Sequence, residues 1–266
     1  MISQVTATTF HRFLSNGRTS PAIFTCEGPD LSRPEEFVVK LRGGLERRER
    51  GLLYELYASL LAAYLGILSP HPAIVSIEAE LAAAIQAELA ADPHRAQIIR
   101  DSVGLNFGSQ FLVNLAVWPV DKYIPKTMRE AAMRVFAFDA LIQNPDRAYN
   151  NPNLGSRGED LFIFDHELAF SFLLNIFPSQ TPWKLTNEDY LSRHVFAKTL
   201  KGEPFPDDFL RRLNGLSGSE LGSLSGQIPD EWKSEDLAKI AAHLGLLRDH
   251  AAEFAEEVIR RLEGGG

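Results

Sequence analysis

The sequence predicts an α+β fold in two lobes with a cleft between them, on three observations. Short runs rich in β-branched and aromatic residues crowd its first part, helical periodicity dominates after Pro125, and the change falls near residues 117–124. A strand-rich half at 1–118, holding one prominent helix, therefore precedes a helix-rich half at 119–266. The length of 266 residues is enough for two lobes with cores of their own, and 45% apolar with 23% charged residues is a composition that folds.

Residues 1–45 read as strands joined by turns. Phe13 and Leu14 run into Ser15-Asn16-Gly17-Arg18-Thr19-Ser20-Pro21, which is turn chemistry, and residues 22–26 resume a strand. Residues 36–41 carry strong strand propensity up to Gly43-Gly44. Leu52, Leu56, Leu60 and Leu53, Tyr57, Leu61 then recur at helical spacing, with a stop near Gly66. A strand at 73–77 and a helix at 78–89 follow, the latter ended by Asp92-Pro93; the apolar run 110–117 suits a buried strand. In the second half, residues 127–142 form a helix, 143–160 a polar loop and 161–164 a short strand. Helices are expected at 234–244, with Ser234 as N-cap, and at 249–262, which is amphipathic.

Several function classes are disfavoured. A net charge of −8 argues against a general nucleic-acid binder, which needs clustered Lys and Arg. Cys26 is the single cysteine, so no intramolecular disulfide can form, and a reducing cytoplasm is the expected location. The N-terminus lacks the basic start and apolar run of a signal peptide, and no apolar stretch of membrane-spanning length occurs, so no membrane partner is expected. The histidines lack zinc-ligand spacing.

Four features carry candidate chemistry. Strand alternation sets Phe37, Val39 and Leu41 on one face and Val38 and Lys40 on the other, so Lys40 points to solvent, a carboxylate or a ligand. Glu55 sits in a helix apolar nearly all round, where a partner such as Lys40 would satisfy both. Asp146 and Asn151 lie five residues apart in a loop after a helix, the spacing of a protein-kinase catalytic loop, where the Asp accepts the substrate hydroxyl proton and the Asn holds a metal ion. Asp165 ends an apolar strand and is a hard ligand suited to Mg²⁺. Taken singly, each has a plainer reading: an edge lysine, a solvated helix stripe, a turn, a strand-capping Asp. In this order they supply what phosphoryl transfer needs, namely a cation for phosphates, its anchor, a proton acceptor and metal ligands.

Asn144-Pro145-Asp146-Arg147 with Asn151, and Phe164-Asp165-His166-Glu167, resemble the catalytic and metal-binding segments of HipA-like kinases, relatives of the HipA toxin serine/threonine kinase. Phe37-Val38-Val39-Lys40, Leu53-Tyr54-Glu55-Leu56 and Pro229-Asp230-Glu231-Trp232 extend the likeness over most of the chain. The resemblance implies a bilobal protein-kinase-like fold with a nucleotide-binding lobe at 1–118 and a helical catalytic lobe at 119–266. It implies ATP and Mg²⁺ as cofactors, with Lys40 on the α/β-phosphates held by Glu55, Asp146 as catalytic base, and Asn151 and Asp165 on the metal. Gly17 and Arg18 would belong to the phosphate-covering loop; Gln110, Leu112 and Asn114 to the hinge at the adenine ring; Asn144 and Arg147 would brace the catalytic loop. A protein substrate and an antitoxin-like partner are the partners it suggests. The chain departs from the family at Ala148, where a His is frequent, and in a glycine-poor loop at 15–20. A small-molecule or lipid-headgroup kinase, a nucleotide-dependent binding module without catalysis and a helical scaffold without a site remain alternatives.

Overall fold

Strand β1 (Ser3–Phe13) turns Val5 and Ala7 inward and its threonines outward. Register shifts at Ala7/Thr9 and Phe10/Arg12 bend it, so one end pairs with β2 (Ala22–Glu27) and the other with β4 (Pro72–Ile77). With β3 (Glu35–Lys40) and β5 (Gly104–Gln110) these strands close a barrel in the order β1-β2-β3-β5-β4. The seam is a parallel pairing, Ser3 with Ala73 through Thr6 with Ser76; the other pairs are antiparallel. Phe24, Phe37, Val39, Leu41 and Val75 fill the core, joined by Ile85 of α2 (Ala79–Glu88) and Ile98 and Ile99 of α3 (Pro93–Arg100). Each such side chain contributes about 1.5–3 kcal/mol by burial. A one-residue slip of β3 would expose Phe37 and Val39 and drive Lys40 inward, so this packing locks its register.

This is the computed structural model of the chain, and it describes residues 2–14, 19–119, 123–177, 179–186 and 188–264. The chain divides into two compact units. The first comprises Met1–Leu56, Pro70–Val113 and Gln227–Trp232; the second comprises Tyr57–Ser69, Asn114–Gly226 and Lys233–Gly266. The division falls inside α1 (Glu49–Tyr64), which is buried on every side from Gly51 to Ser59. Gly66 follows α1 at φ +74°, a left-handed turn that glycine adopts without strain and that ends the helix.

The second unit is organised by α4 (Arg129–Leu141), where Ala132, Met133 and every residue from Val135 to Leu141 are buried. A three-stranded antiparallel sheet, β6 (Ala116–Val117), β7 (Leu154–Arg157) and β8 (Asp160–Ile163), shares the unit with α5 (Asp207–Asn214), α6 (Gly218–Gly226), α7 (Asp236–Asp249) and α8 (Ala251–Leu262). Ala251, Phe254, Ala255, Val258 and Leu262 form the buried stripe of α8, as its amphipathic pattern predicts. No helix among the described residues is long and apolar enough to cross a membrane.

Four local expectations need correction. The buried strand expected at 110–117 lies earlier, at β5; the apolar residues that suggested it are in part exposed, Val113 by 65% and Val117 by 71%. Asn106 disguised the true strand, being fully buried with its amide bonded to the Ser102 and Gly104 carbonyls and its oxygen accepting from the Arg42 N–H. Asp92-Pro93 opens a helix instead of ending one, because Asp92 accepts from the Arg95 N–H at 3.1 Å and Pro93 fits the first helical turn. Ser234 precedes the N-cap of α7, which is Glu235, though its hydroxyl accepts from the Asp236 N–H at 3.3 Å. The loop at 143–160 is interrupted by β7.

Candidate functional site

The residues singled out from the sequence fall into two groups, one in each unit. In the first unit, Lys40 at the end of β3 and Glu55 in α1 form an ion pair of 3.0 Å, with side chains 11% and 1% exposed. The strand delivers the lysine because its alternate neighbours belong to the barrel core; α1 delivers the carboxylate because that helix offers almost no wet face. Leu41 leads into Gly43-Gly44, where a Cβ on Gly44 would collide with the Thr19 carbonyl, so glycine lets Thr19 pack against the turn after Lys40. Gly17 and Arg18 themselves lie outside the described residues.

Gln110 ends β5; its amide N–H donates to the His71 carbonyl at 2.9 Å and its side chain to Glu35 at 2.8 Å. Leu112 follows outside any strand or helix, and the division between units falls between Val113 and Asn114, whose φ is +63°.

In the second unit the loop after α4 hangs on one buried carboxylate. Asp139 accepts from Asn144 Nδ2 at 2.8 Å, Arg147 Nε at 2.6 Å and His194 Nε2 at 2.9 Å. Burial alone would push this carboxyl up; the Arg147 guanidinium and the His194 hydrogen bond reverse that and hold it at about 2. His194 Nδ1 accepts from the Phe196 N–H at 3.2 Å, which leaves Nε2 to carry the proton toward Asp139. Burial holds this imidazole below its ordinary range, opposed by Asp139.

From that anchor two paths reach Asp146. Asn144 Oδ1 accepts from the Asp146 N–H at 3.2 Å. Arg147 Nη1 donates to the Asn153 and Phe164 carbonyls, and Asn153 Nδ2 donates to Asp146 Oδ2 at 2.8 Å. Asn151 Nδ2 donates to the same oxygen at 3.1 Å. Backbone bonds of the Arg193–Val195 segment, from Tyr149 N–H to the Arg193 carbonyl and from Val195 N–H to the Arg147 carbonyl, clamp the loop from outside. Asn144 and Arg147 thus brace the loop.

Burial pushes the Asp146 carboxyl above the usual aspartate range, against the Asn153 and Asn151 hydrogen bonds that lower it; the charge of Asp165 adds to the rise. Asp165 follows β8 with φ +62°, a left-handed conformation that is uncommon for L-residues and that aspartate adopts more readily than most. Arg147 contributes here too, since the carbonyl of Phe164 that it binds immediately precedes Asp165. His166 is buried with its ring edge-on to Phe138, a packing role.

The sequence reading missed Asn153 and His194. Asn153 lies in an asparagine-dense run, Asn150-Asn151-Pro152-Asn153, and its φ of +46° is one that asparagine tolerates, so a local signal existed. His194 is 55 residues from Asp139 and carries no local signal.

Among the described residues no three His, Cys, Asp or Glu side chains gather as a metal cluster. A hard cation would instead take the Asp165 carboxylate and the Asn151 amide oxygen. That donor set fits Mg²⁺, which uses one or two protein ligands and completes its shell with phosphate and water oxygens. The repulsion between Asp165 and Asp146 is a second point of fit, since a divalent cation would relieve it.

No match was found among curated proteins. Among solved structures, the chain is similar to the Helicobacter pylori proinflammatory kinase CtkA, at 12% identity over 100% of both chains with a TM-score of 0.53, a likeness of fold. Residues 8–257 match the family model described as HipA-like kinase, and the chain belongs to that family.

Proposed function

We propose that the chain is an ATP- and Mg²⁺-dependent phosphotransferase acting on serine or threonine hydroxyls of a protein. In this reading it is a bilobal kinase with a nucleotide-binding lobe at 1–118 and a catalytic lobe at 119–266. Lys40, held by Glu55, meets the α/β-phosphates; Gly17 and Arg18 lie in the phosphate-covering loop; Gln110, Leu112 and Asn114 meet the adenine ring through backbone groups. For Gln110 that role falls to its carbonyl, since its amide donates to His71. Asn151 and Asp165 hold Mg²⁺, which supplies charge neutralisation on the transferring phosphoryl group.

The observation that carries the proposal is Asp146: a half-buried carboxylate aimed by two asparagine amides, with a second carboxylate acting on it. Asp146 takes the proton of the acceptor hydroxyl as that oxygen bonds to the γ-phosphorus. The β–γ P–O bond breaks and ADP leaves with the bridging oxygen.

The test is Asp146→Asn. It should lower phosphate transfer, to itself or to a protein acceptor, by at least about 100-fold. Mg-ATP should still raise its melting temperature, whereas Asp165→Ala should lose that shift. Transfer at the wild-type rate in Asp146→Asn, or a wild-type chain whose melting ignores Mg-ATP, would sink the proposal.

A further inference from the structure

We infer that Asn153 is a positioning residue for phosphoryl transfer, fixing the Asp146 carboxylate so that Oδ1, not Oδ2, receives the acceptor's proton. The inference rests on reading Asp146 as the base. Asn153 Nδ2 spans the side chain and main chain of one residue, donating to Asp146 Oδ2 at 2.8 Å and reaching the Asp146 carbonyl at 3.3 Å. Such a bridge sets the side-chain rotation of Asp146. Asn151 makes the same two contacts more loosely, at 3.1 and 3.4 Å. Two amide donors therefore converge on Oδ2, and a proton placed there would face N–H groups that cannot accept it. Among the described residues no hydrogen bond reaches Oδ1, which leaves that oxygen as the proton acceptor.

The two asparagines differ in what holds them. Asn151 is exposed, and a metal on its amide oxygen would share control of its orientation. Asn153 is partly buried and is fixed through its own backbone: its carbonyl accepts from the Phe164 N–H at 3.1 Å and from Arg147, and its φ is +46°. Its amide is thereby a fixed reference for Asp146, independent of the metal, while Arg147 ties that reference to the chain entering Asp165.

The left-handed backbone makes a clean test possible, because glycine keeps that conformation while deleting the amide. The full-length chain is supplied with Mg-ATP, and phosphate transfer or release is followed. Asn153→Gly should lower kcat about 10- to 100-fold, with KM for ATP within about twofold and a melting temperature close to wild type. Asn153→Asp, which sets a second carboxylate against Oδ2, should lose more. In an Asp146→Asn background, Asn153→Gly should cost nothing further. Wild-type kcat in Asn153→Gly overturns the inference, as does a loss that appears equally in KM or persists in the Asp146→Asn background. Wild-type turnover that Asp146→Asn abolishes but Asn153→Gly leaves intact sinks this inference alone. A wild-type chain that turns over no Mg-ATP sinks the kinase reading and the inference with it.

Discussion

Lys40 and Glu55 in the first unit join one strand to one helix at 3.0 Å, whereas Asp139 in the second draws in Asn144 and Arg147 from one loop and His194 from a distant segment. The lysine ammonium is a compact charge with three rotatable donors, able to serve a partner and a ligand together. The Asp139 cluster is different in kind: an arginine Nε–H, an asparagine amide and a neutral imidazole converge on one carboxylate in a fixed geometry that admits little adjustment. Both carboxylates are buried, and the donors around them differ: one rotatable ammonium at Glu55, three donors of fixed direction at Asp139.

The strongest way to break this comparison is to remove the centre of the second cluster. Asp139→Ala leaves the Arg147 guanidinium, 1% exposed, without its carboxylate, and should cost about 3–5 kcal/mol. A melting temperature lower by about 10 °C is the expected result, and a shift under about 3 °C would show that the cluster does not hold the fold.

Acid should act on the second unit first. His243 in α7 is buried, stacked on Phe172 at 3.9 Å and bonded through Nε2 to the Leu141 carbonyl at 3.0 Å; burial holds it down at about 4. The unfolded chain takes up that proton below the ordinary 6.5, so the contribution is whole above pH 6.5 and is lost as pH falls toward 4. The loss is about 3 kcal/mol at full protonation. His11, His71 and His94, in the first unit, are exposed. Melting curves should therefore fall more steeply over this range in wild type than in His243→Phe; parallel curves would contradict the assignment.

The smallest expected effect sharpens the contrast from the other side. Replacing the first pair outright, Lys40→Met with Glu55→Leu, should change stability by no more than about 1 kcal/mol, because an apolar pair of similar volume substitutes well for a buried ion pair. The same variant should lose its melting shift with Mg-ATP. A large loss of stability with the shift preserved would give the pair a structural role instead.

The same contrast explains what the sequence revealed. Lys40 and Glu55 lie on neighbouring elements, and the periodicities of a strand and a helix are enough to face them toward each other. Asp146, Asn151 and Asp165 were legible through spacing and the strand that precedes Asp165. Asp139, one carboxylate on an otherwise apolar helix, carries no local meaning, because its role depends on His194, which tertiary structure alone brings near. The strand β5 escaped because glycine and a buried asparagine replace the apolar pattern there, while the apolar run after it is partly at the surface. Closure of the barrel was likewise hidden, since its seam pairs residues from opposite ends of the first unit's strand order.

That seam has a consequence for biosynthesis. Ser3 cannot find Ala73 until about seventy further residues have been made, including the apolar helix α1. At about 5–20 residues per second, the β1–β3 ribbon waits several seconds on the ribosome with both outer edges unpaired. Once β5 and β4 arrive, closure removes those edges together. The nascent chain, more than the finished one, is the form most exposed to edge-to-edge aggregation, and slowing translation between the codons for Lys40 and Gln110 should lengthen that exposure.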